Sequence, residues 1–411
     1  MGSMEEKNGV VIVSAVRTPF GRFGGTLKDI PSIDLGAMVI REVLRRSNVK
    51  GEEVEEIYYG SAVPGEVALE TDVPARQATL KAGMPSECVS ITVDRACCSS
   101  LAAVRLGYRA IKAGEIEIAL GVGAENMSRT PLVLPPGVRW GSRLGSIELW
   151  DCLYGLDYKG FNPVSVDAGE VALEYGITRE DQDRWAYQSQ IKYARAFSEG
   201  KFKIGEELMR LEIPQKKSPP IVFERDEFPK PDTTLEKLSK LPLVYGSPTV
   251  TAGNAPGLDT GASAILMMSE RKAKDKGLRP LAKILCMVAT ATVPRLIAAI
   301  PAFTIQKALK EAQTALDQID LIEINEAFAA MPLVSAKILA DGDPERMEAL
   351  LQKTNVNGGA IAIGHPVGAS GARILMTLIY ELRRRGGGKG VASICGGLAQ
   401  GDGVVVQVEN D

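Results

Sequence analysis

The sequence predicts an α/β protein with two similar halves and an insertion between them. Apolar runs that suit buried strands alternate with stretches of helical spacing, and this alternation implies parallel strand pairing in a sheet covered on both faces. The same order of elements recurs after residue 282, whereas residues 128–245 have a different texture. At 411 residues the chain is too long for one core, which favours two or three packed units.

The elements of the first half follow from apolar periodicity and from the residues that interrupt it. Nearly continuous apolar runs predict strands, and 3.6-residue spacing predicts helices, one of them opened by Pro74. The predicted elements are strand 9–16, helix 33–46, strand 56–63, helix 74–82, strand 88–93, helix 99–113 and strand 116–122. Their order is βαβαβαβ.

Residues 128–245 break this order and suggest an insertion. They hold all three tryptophans, an amphipathic helical stretch from Ala168 through Phe197, and an irregular polar segment. A surface subdomain or lid explains such a region better than another sheet layer.

The second half repeats the pattern of the first. After strand 262–268, the predicted elements are strand 284–289, helix 304–315, strand 321–324, helix 327–339, strand 359–363, a helix from 372 and strand 391–395. In both halves a buried strand ends in a loop that starts a long small-residue helix, and those loops carry Cys97 and His365. If the halves pack about a pseudo-twofold axis, the two loops would face each other.

The composition narrows the classes of function. A net charge of −3, with 45% apolar and 24% charged residues, gives no electrostatic case for nucleic acid or an anionic membrane. The six cysteines and the single histidine show no metal-ligand spacing, so we expect no metal site. No signal pattern or membrane-spanning run is evident, which favours a reducing cytoplasm and free thiols.

His365 is the only histidine, so any imidazole chemistry has to occur in its loop. That loop, Gly364–Gly371, lies between a predicted buried strand and a predicted helix, and such loops open toward clefts. Its three glycines and one proline suggest a tight backbone that another group can approach closely. A lone histidine is more often structural than catalytic, so this hypothesis depends on partners elsewhere in the chain.

Two cysteines and one asparagine are candidate partners. Cys97 lies at the start of a predicted helix, where free N–H groups and the helix dipole lower a thiol pKa, although a small buried residue is the other interpretation. Cys395 ends a predicted strand before a glycine-rich turn, so it could act as an acid or base beside an oxyanion site. Asn325 begins a predicted helix, so it is either an N-cap or a residue that fixes a water or His365.

With these loops in view, the chain resembles the thiolases over nearly its full length. The matching segments are 15–21, 74–78, 125–128, 226–236, 249–257, 325–329, 364–371 and 395–397. The resemblance implies the thiolase fold, in which two pseudo-symmetric βαβαβαββ halves form a layered α-β-α-β-α core with an inserted loop domain. It divides the chain into an N-terminal half at 5–128 continued by 246–275, a loop domain at 129–245 and a C-terminal half at 276–411.

The resemblance also implies roles for the candidate residues. Cys97 matches the nucleophile that is acylated, His365 the residue that activates it, and Cys395 the acid or base that moves a proton at the α-carbon of the second acyl group. Asn325 matches the residue that positions a water in one oxyanion hole, and the N–H groups of Cys97 and Gly397 would form the other. The implied reaction is ping-pong cleavage of a 3-oxoacyl-CoA by CoA, or its reverse.

Several positions around the implied acyl and CoA pocket depart from the thiolase pattern. In the nucleophile loop, Asp94 replaces an asparagine, and Cys98 and Ser100 replace two glycines. The pocket positions that we assign are Pro163 and Val164 in place of a His-Met pair, Ala252, Pro256 in place of a serine, Ile297 in place of a methionine, and Phe328. The more apolar pocket predicts a bulkier, branched or aromatic acyl group rather than acetoacetyl-CoA.

Two alternatives share this fold. A ketoacyl synthase uses one cysteine and two histidines, so a chain with one histidine does not supply that triad. An inactive thiolase-like subunit that scaffolds another protein or only binds acyl-CoA would be favoured by loss of Cys97, His365 or Cys395, and all three are present. A third possibility is an active subunit whose altered CoA-facing loops need a companion protein. The thiolase resemblance further implies coenzyme A as a substrate, no permanently bound cofactor, and a homodimer or dimer of dimers.

Overall fold

A computed structural model describes residues 9–154 and 158–410 of the chain. The strands are β1 (Val10–Arg17), β2 (Glu56–Gly60), β3 (Val89–Val93), β4 (Ile118–Asn126), β5 (Leu132–Val133), β6 (Trp150–Asp151), β7 (Leu211–Ile213), β8 (Ile221–Phe223), β9 (Thr260–Ser269), β10 (Ala282–Ala291), β11 (Leu321–Ile324), β12 (Gly388–Gly396) and β13 (Gln400–Val408). The α-helices are α1 (Ser32–Ser47), α2 (Pro64–Ala68), α3 (Pro74–Lys81), α4 (Ser99–Ala113), α5 (Val164–Glu174), α6 (Arg179–Ser198), α7 (Leu235–Ser239), α8 (Glu270–Asp275), α9 (Ile300–Glu311), α10 (Ala330–Leu339), α11 (Pro344–Gln352), α12 (Ala360–Ile363) and α13 (Ser370–Arg384).

Nine strands form one sheet whose order shows the symmetry of the two halves. The order is β11-β12-β13-β10-β1-β9-β4-β2-β3. The halves meet where β1 pairs with β10, with Val10 opposite Ile284. From that junction the order is β1-β9-β4-β2-β3 on one side and β10-β13-β12-β11 on the other, so equivalent strands follow each other outward. The expected recurrence of elements is therefore confirmed.

The expectation of parallel pairing holds for only part of the sheet. β2 pairs in parallel with β3 and β4, and β11 pairs in parallel with β12. The pairs β1·β9, β4·β9, β10·β13 and β12·β13 are antiparallel, as is the junction. Parallel strands require a crossover connection, whereas β12 and β13 are joined by a tight hairpin. No strand was predicted from the sequence at the position of β13.

Helices form three layers around the two halves of the sheet. α4 and α13 pack on each other and on strands of both halves, so they form the central layer. α1 covers the outer face of the first half, and α9 covers that of the second. Three apolar clusters fill the spaces between these layers. This is the expected layered α-β-α-β-α thiolase fold.

Two predicted elements differ in the structure. The stretch from Ala168 through Phe197 is two helices, because Gly176 turns the chain with a φ of +72° and Thr178 and Asp181 form a capping box that starts α6. Residues 359–363 are not a strand but contain the single-turn helix α12, in which Ile363 N–H donates to the Gly359 carbonyl at 2.9 Å. An all-apolar run of five residues fits either element, and tertiary contacts decide between them.

The region between β4 and β9 contains α5, α6, α7 and two small two-stranded sheets, β5·β6 and β7·β8. We propose the boundaries 129–245 for this loop domain, 5–128 with 246–275 for the N-terminal half, and 276–411 for the C-terminal half.

Across residues 9–154 and 158–410, no helix is both long and apolar enough to cross a membrane.

Candidate active site

The loops that carry Cys97 and His365 meet at the centre of the molecule. Cys97 Sγ lies 3.2 Å from His365 Nε2. The helices that follow these loops approach closely because glycines lie at their contacts: a Cβ at Gly371 would come within 2.7 Å of the Leu101 backbone nitrogen. The packing of α4 against α13 therefore brings together two residues that are 268 positions apart.

The turn before Cys97 is held in an uncommon backbone conformation. Ala96 has a φ of +49°, in the left-handed region that non-glycine residues rarely adopt. The Asp94 carboxylate accepts the Ala96 N–H at 2.9 Å, and the Ser99 hydroxyl accepts the Arg95 N–H at 2.9 Å. These two bonds fix the backbone on both sides of Ala96 and so place the Cys97 thiol before the first turn of α4.

Hydrogen bonds identify the tautomer of His365. The Ser370 hydroxyl donates to the Pro366 carbonyl at 2.9 Å, so its oxygen is free to accept a hydrogen bond from His365 Nδ1–H at 2.6 Å. Nδ1 therefore carries the proton, and the Nε2 lone pair faces the Cys97 thiol. The backbone N–H of His365 donates to the buried carboxylate of Asp259 at 2.7 Å.

Asn325 is not a helix N-cap, which was one of the two interpretations of this residue. α10 starts at Ala330, five residues later, and Asn325 is fully buried behind the imidazole. Its Nδ2 lies 3.4 Å from His365 Nε2, and its Oδ1 accepts a hydrogen bond from Arg373 Nη2 at 3.1 Å. Because Arg373 is only a donor, it fixes the orientation of the amide and directs the NH₂ group toward the imidazole.

The thiol and the imidazole form a neutral pair. Burial, followed by the negative charges of Glu125 and Asp94, raises the pKa of the Cys97 thiol to about 12. Burial and the charge of Arg373 lower the pKa of His365 to about 3. The helix start was expected to lower the Cys97 pKa, whereas burial acts in the opposite direction and outweighs the one contribution that lowers it, a backbone hydrogen bond. A neutral imidazole can accept the thiol proton as the sulfur attacks.

The second cysteine approaches the same place from the β12–β13 hairpin. Cys395 is buried at the end of β12, and the hairpin tip turns through Leu398 and Ala399, with φ of +56° and +54°. A Cβ at Gly396 would lie 2.7 Å from the Arg95 carbonyl oxygen, so the hairpin packs against the Cys97 turn. Burial, and then the proximity of Cys97, raises the pKa of the Cys395 thiol well above its usual value.

A cavity of about 280 Å³ connects these groups. Cys97, His365, Cys395 and Gly397 line it, as do five of the predicted pocket residues, Val164, Ala252, Pro256, Ile297 and Phe328. Pro163 does not line it, because it lies at the N-terminus of α5 with only Val164 reaching the cavity. Asn325 contacts the cavity only through His365.

Comparison with known proteins identifies the family. The sequence models of the thiolase N-terminal and C-terminal domains match residues 10–271 and 278–408. The chain belongs to the thiolase family. It is 45% identical over 404 residues to an acetyl-CoA acetyltransferase of Cupriavidus necator, covering 97% of this chain and 99% of that protein. As a thiolase it is an acyltransferase.

Two solved structures have the same fold. The human mitochondrial 3-ketoacyl-CoA thiolase in complex with CoA superposes with a TM-score of 0.89 at 38% identity, covering 98% of each chain. The Bacillus anthracis acetyl-CoA acetyltransferase superposes with a TM-score of 0.91 at 36% identity, covering 98% of this chain and 99% of that one.

The two residues that replace glycines in the nucleophile loop of this thiolase have packing partners. The Ser100 hydroxyl accepts the Ala372 N–H at 3.0 Å and ties α4 to α13. The Cys98 thiol donates to the Ile394 carbonyl at 3.3 Å and ties the loop to β12. Both side chains are fully buried. These two side chains therefore tie the loop to neighbouring elements, and neither of them lines the cavity.

Several residues around the site were not predicted from the sequence. Ser370 and Arg373 lie five and eight residues after His365, so their proximity to the glycine-rich loop was the available signal. Asp259 and Tyr158 come from distant segments, and no local pattern marks either of them.

Proposed function

We propose that this thiolase transfers an acyl group between CoA and a 3-oxoacyl-CoA through an acyl-Cys97 intermediate. The observation that carries this proposal is the 3.2 Å contact of Cys97 Sγ with the lone-pair nitrogen of His365, in a cavity that Cys395 also lines. A nucleophile, a base for it and a second titratable thiol are the groups that acyl transfer followed by carbon–carbon chemistry requires.

In the degradative direction, Cys97 Sγ attacks the 3-oxo carbon of the substrate while His365 Nε2 accepts the thiol proton. The carbon–carbon bond breaks, and Cys395 gives a proton to the α-carbon of the departing acyl-CoA. The CoA sulfur then bonds to the acyl carbon and the bond to Cys97 Sγ breaks. The proton of the CoA thiol passes to the Cys395 thiolate, and His365 returns its proton to Cys97. We assign the N–H groups of Cys97 and Gly397 to one oxyanion site, and a water held by Asn325 with His365 to the other.

We further propose that the acyl group is bulkier, branched or aromatic, rather than the acetoacetyl group. Pro256, Val164 and Ile297 make the cavity wall apolar, and its 280 Å³ is nearly twice the roughly 150 Å³ that holds a benzene molecule in an apolar protein cavity. Each buried CH₂ contributes about 0.8 kcal/mol, which would favour such a group. The names of the relatives point instead to acetyl transfer and do not support this substrate.

One experiment tests both parts. The purified protein is exposed briefly to a series of acyl-CoA and 3-oxoacyl-CoA esters, and intact and peptide mass spectrometry identifies the acylated residue. Acyl groups on Cys97 are expected. Steady-state assays with the same series of 3-oxoacyl-CoA esters should give a higher kcat/KM for the bulkier esters than for acetoacetyl-CoA. Acylation of Cys98 instead would refute the nucleophile. A best kcat/KM with acetoacetyl-CoA would refute only the substrate proposal. Activity of the chain alone would exclude the need for a companion protein.

The edge of the sheet supports a proposal about assembly. Among the strands of the described residues, β3 pairs with β2 alone, and its apolar side chains Val89 and Ile91 are half-exposed. An open apolar edge strand is suited to pairing with another strand, and we propose a second copy of this chain as the partner. Light scattering should give a dimer mass that Ile91→Lys lowers and Val222→Lys, an exposed strand position in the loop domain, does not. A dimer mass retained by Ile91→Lys would contradict this placement.

A further inference from the structure

Tyr158 places a hydroxyl group between the two catalytic segments. It lines the cavity together with Cys97, Cys395 and Gly397. A Cβ built on Gly397 would overlap the Tyr158 hydroxyl oxygen and would lie 3.2 Å from the Ala96 Cβ. The phenol therefore occupies the space that any side chain at 397 would need, beside the turn that positions the nucleophile.

The segment that carries Tyr158 holds it in this position. The Tyr158 carbonyl accepts the Phe161 N–H at 2.9 Å, and Gly160 has a φ of +89°, so the chain turns directly after the phenol. The turn leads into α5, whose first residue Val164 also lines the cavity. Tyr158 is thus one of several residues of the proposed loop domain that line the cavity.

The hydroxyl has donor capacity that the protein does not use. Within residues 9–154 and 158–410, no group forms a hydrogen bond with the Tyr158 hydroxyl. Burial, and then the proximity of Cys97, Asp94 and Cys395, raises the pKa of the phenol. The group therefore keeps its proton at neutral pH and is available to donate a hydrogen bond to a substrate.

We propose that Tyr158 is a further catalytic residue, whose hydroxyl donates a hydrogen bond to the oxygen of the acyl group as that group moves onto Cys97, beside the Gly397 N–H. This inference rests on the proposed acyl-Cys97 reaction. In loading from a simple acyl-CoA, the Cys97 sulfur bonds to the acyl carbon and the bond to the CoA sulfur breaks. The thiol proton passes to His365 Nε2 and then to the leaving CoA sulfur. Tyr158 keeps its own proton throughout.

The role of the hydroxyl can be separated from that of the ring. Tyr158→Phe removes only the donor, and Tyr158→Ala removes the ring as well. Tyr154→Phe is a matched control, because that ring packs edge-to-face on Tyr245 at 5.5 Å and does not line the cavity. Single-turnover acylation of Cys97 by an acyl-CoA is followed by mass spectrometry and by release of CoA.

Tyr158→Phe should slow acylation by about tenfold or more, with less than a threefold change in KM, since an oxyanion donor acts mainly in the transition state. Tyr154→Phe should stay within twofold of the wild type. If Tyr158→Phe matches the wild type, the proposal is overturned, including the case in which only Tyr158→Ala is impaired. If the wild type itself carries no acyl group on Cys97, the proposed function fails instead.

A spectroscopic measurement is independent of rate. The infrared band of a ¹³C-labelled thioester carbonyl on Cys97 should lie at higher wavenumber in Tyr158→Phe, because loss of a donor strengthens the C=O bond. The same band in Tyr154→Phe should not move. An unchanged band in Tyr158→Phe would show that the hydroxyl does not contact the acyl oxygen.

Discussion

Replacement of Glu326 by glutamine should destabilise the protein markedly, although the two side chains have nearly the same shape. The Glu326 carboxylate is fully buried, close to Asn325 and the segment before His365, and accepts four hydrogen bonds. Its donors are Trp185 Nε1 at 3.0 Å, Ser189 Oγ at 2.8 Å, Asn355 Nδ2 at 2.9 Å and Ile361 N at 3.1 Å. It therefore joins the segment of Asn325 to α6 and to the short helix that precedes His365.

The expected fall in the free energy of unfolding follows from the number of donors that would lose their acceptor. Glutamine keeps one oxygen and replaces the other by an NH₂ group, so two of the four donors would face another donor. A buried donor without a partner costs about 1–3 kcal/mol, so the free energy of unfolding should fall by roughly 2–6 kcal/mol. An unfolding entropy of about 2.1 cal/mol/K per residue gives roughly 0.9 kcal/mol/K for 411 residues, so Tm should fall by about 2–7 °C.

Thermal unfolding followed by tryptophan fluorescence measures this change. The matched control is Glu348→Gln on α11. Glu348 is exposed, and within the described chain its side chain accepts one hydrogen bond, from Gln352 Nε2 at 3.3 Å. Its Tm should change by less than about 1 °C, since exposed substitutions rarely exceed 0.5 kcal/mol. A fall in Tm for Glu326→Gln no larger than that of the control would refute the reasoning, because the four bonds would then contribute no more than surface contacts.

Three further substitutions test the proposed chemistry. Cys97→Ser should abolish acyl loading in mass spectra, since a serine hydroxyl is a far weaker nucleophile at neutral pH. Cys395→Ala should lower the rate of carbon–carbon cleavage by about 10²-fold or more while some acyl loading on Cys97 persists; equal loss of both would indicate a structural role. Arg373→Met should free the Asn325 amide and, by removing a nearby positive charge, raise the pKa of His365 from about 3. Only neutral His365 can accept the thiol proton. The acid limb of the pH profile for the rate of iodoacetamide labelling of Cys97 should therefore move to higher pH in this variant. An acid limb at the same pH as in the wild type would contradict this prediction.

The long periodic elements were predictable from the sequence. The helix predicted at 99–113 is α4 with the same bounds, and the strand predicted at 321–324 is β11. Their side chains repeat at intervals that match one backbone conformation, so local sequence is sufficient. Cysteine and histidine at the ends of such elements also sufficed to nominate Cys97, His365 and Cys395, because few side chains can act as nucleophiles or bases near neutral pH.

Tertiary contacts decided what local sequence left open. Residues 360–363 are helical because the N–H of Ile361 reaches the Glu326 carboxylate, and an apolar run carries no record of that distant partner. Asn325 faces His365 because Arg373, 48 residues away in sequence, holds its amide oxygen.

The protonation state of the site also depended on the fold. A helix start by itself favours a thiolate, but the surrounding layers remove water from Cys97 and raise its pKa instead. The sequence determined which groups could react and that Cys97 precedes a long helix. It did not determine the elements beside His365 and Asn325. The packed structure decided how those groups are oriented and protonated, because the fold sets their hydration and the charges and hydrogen-bond partners that surround them, from Asp94 three residues before Cys97 to His365 268 positions after it.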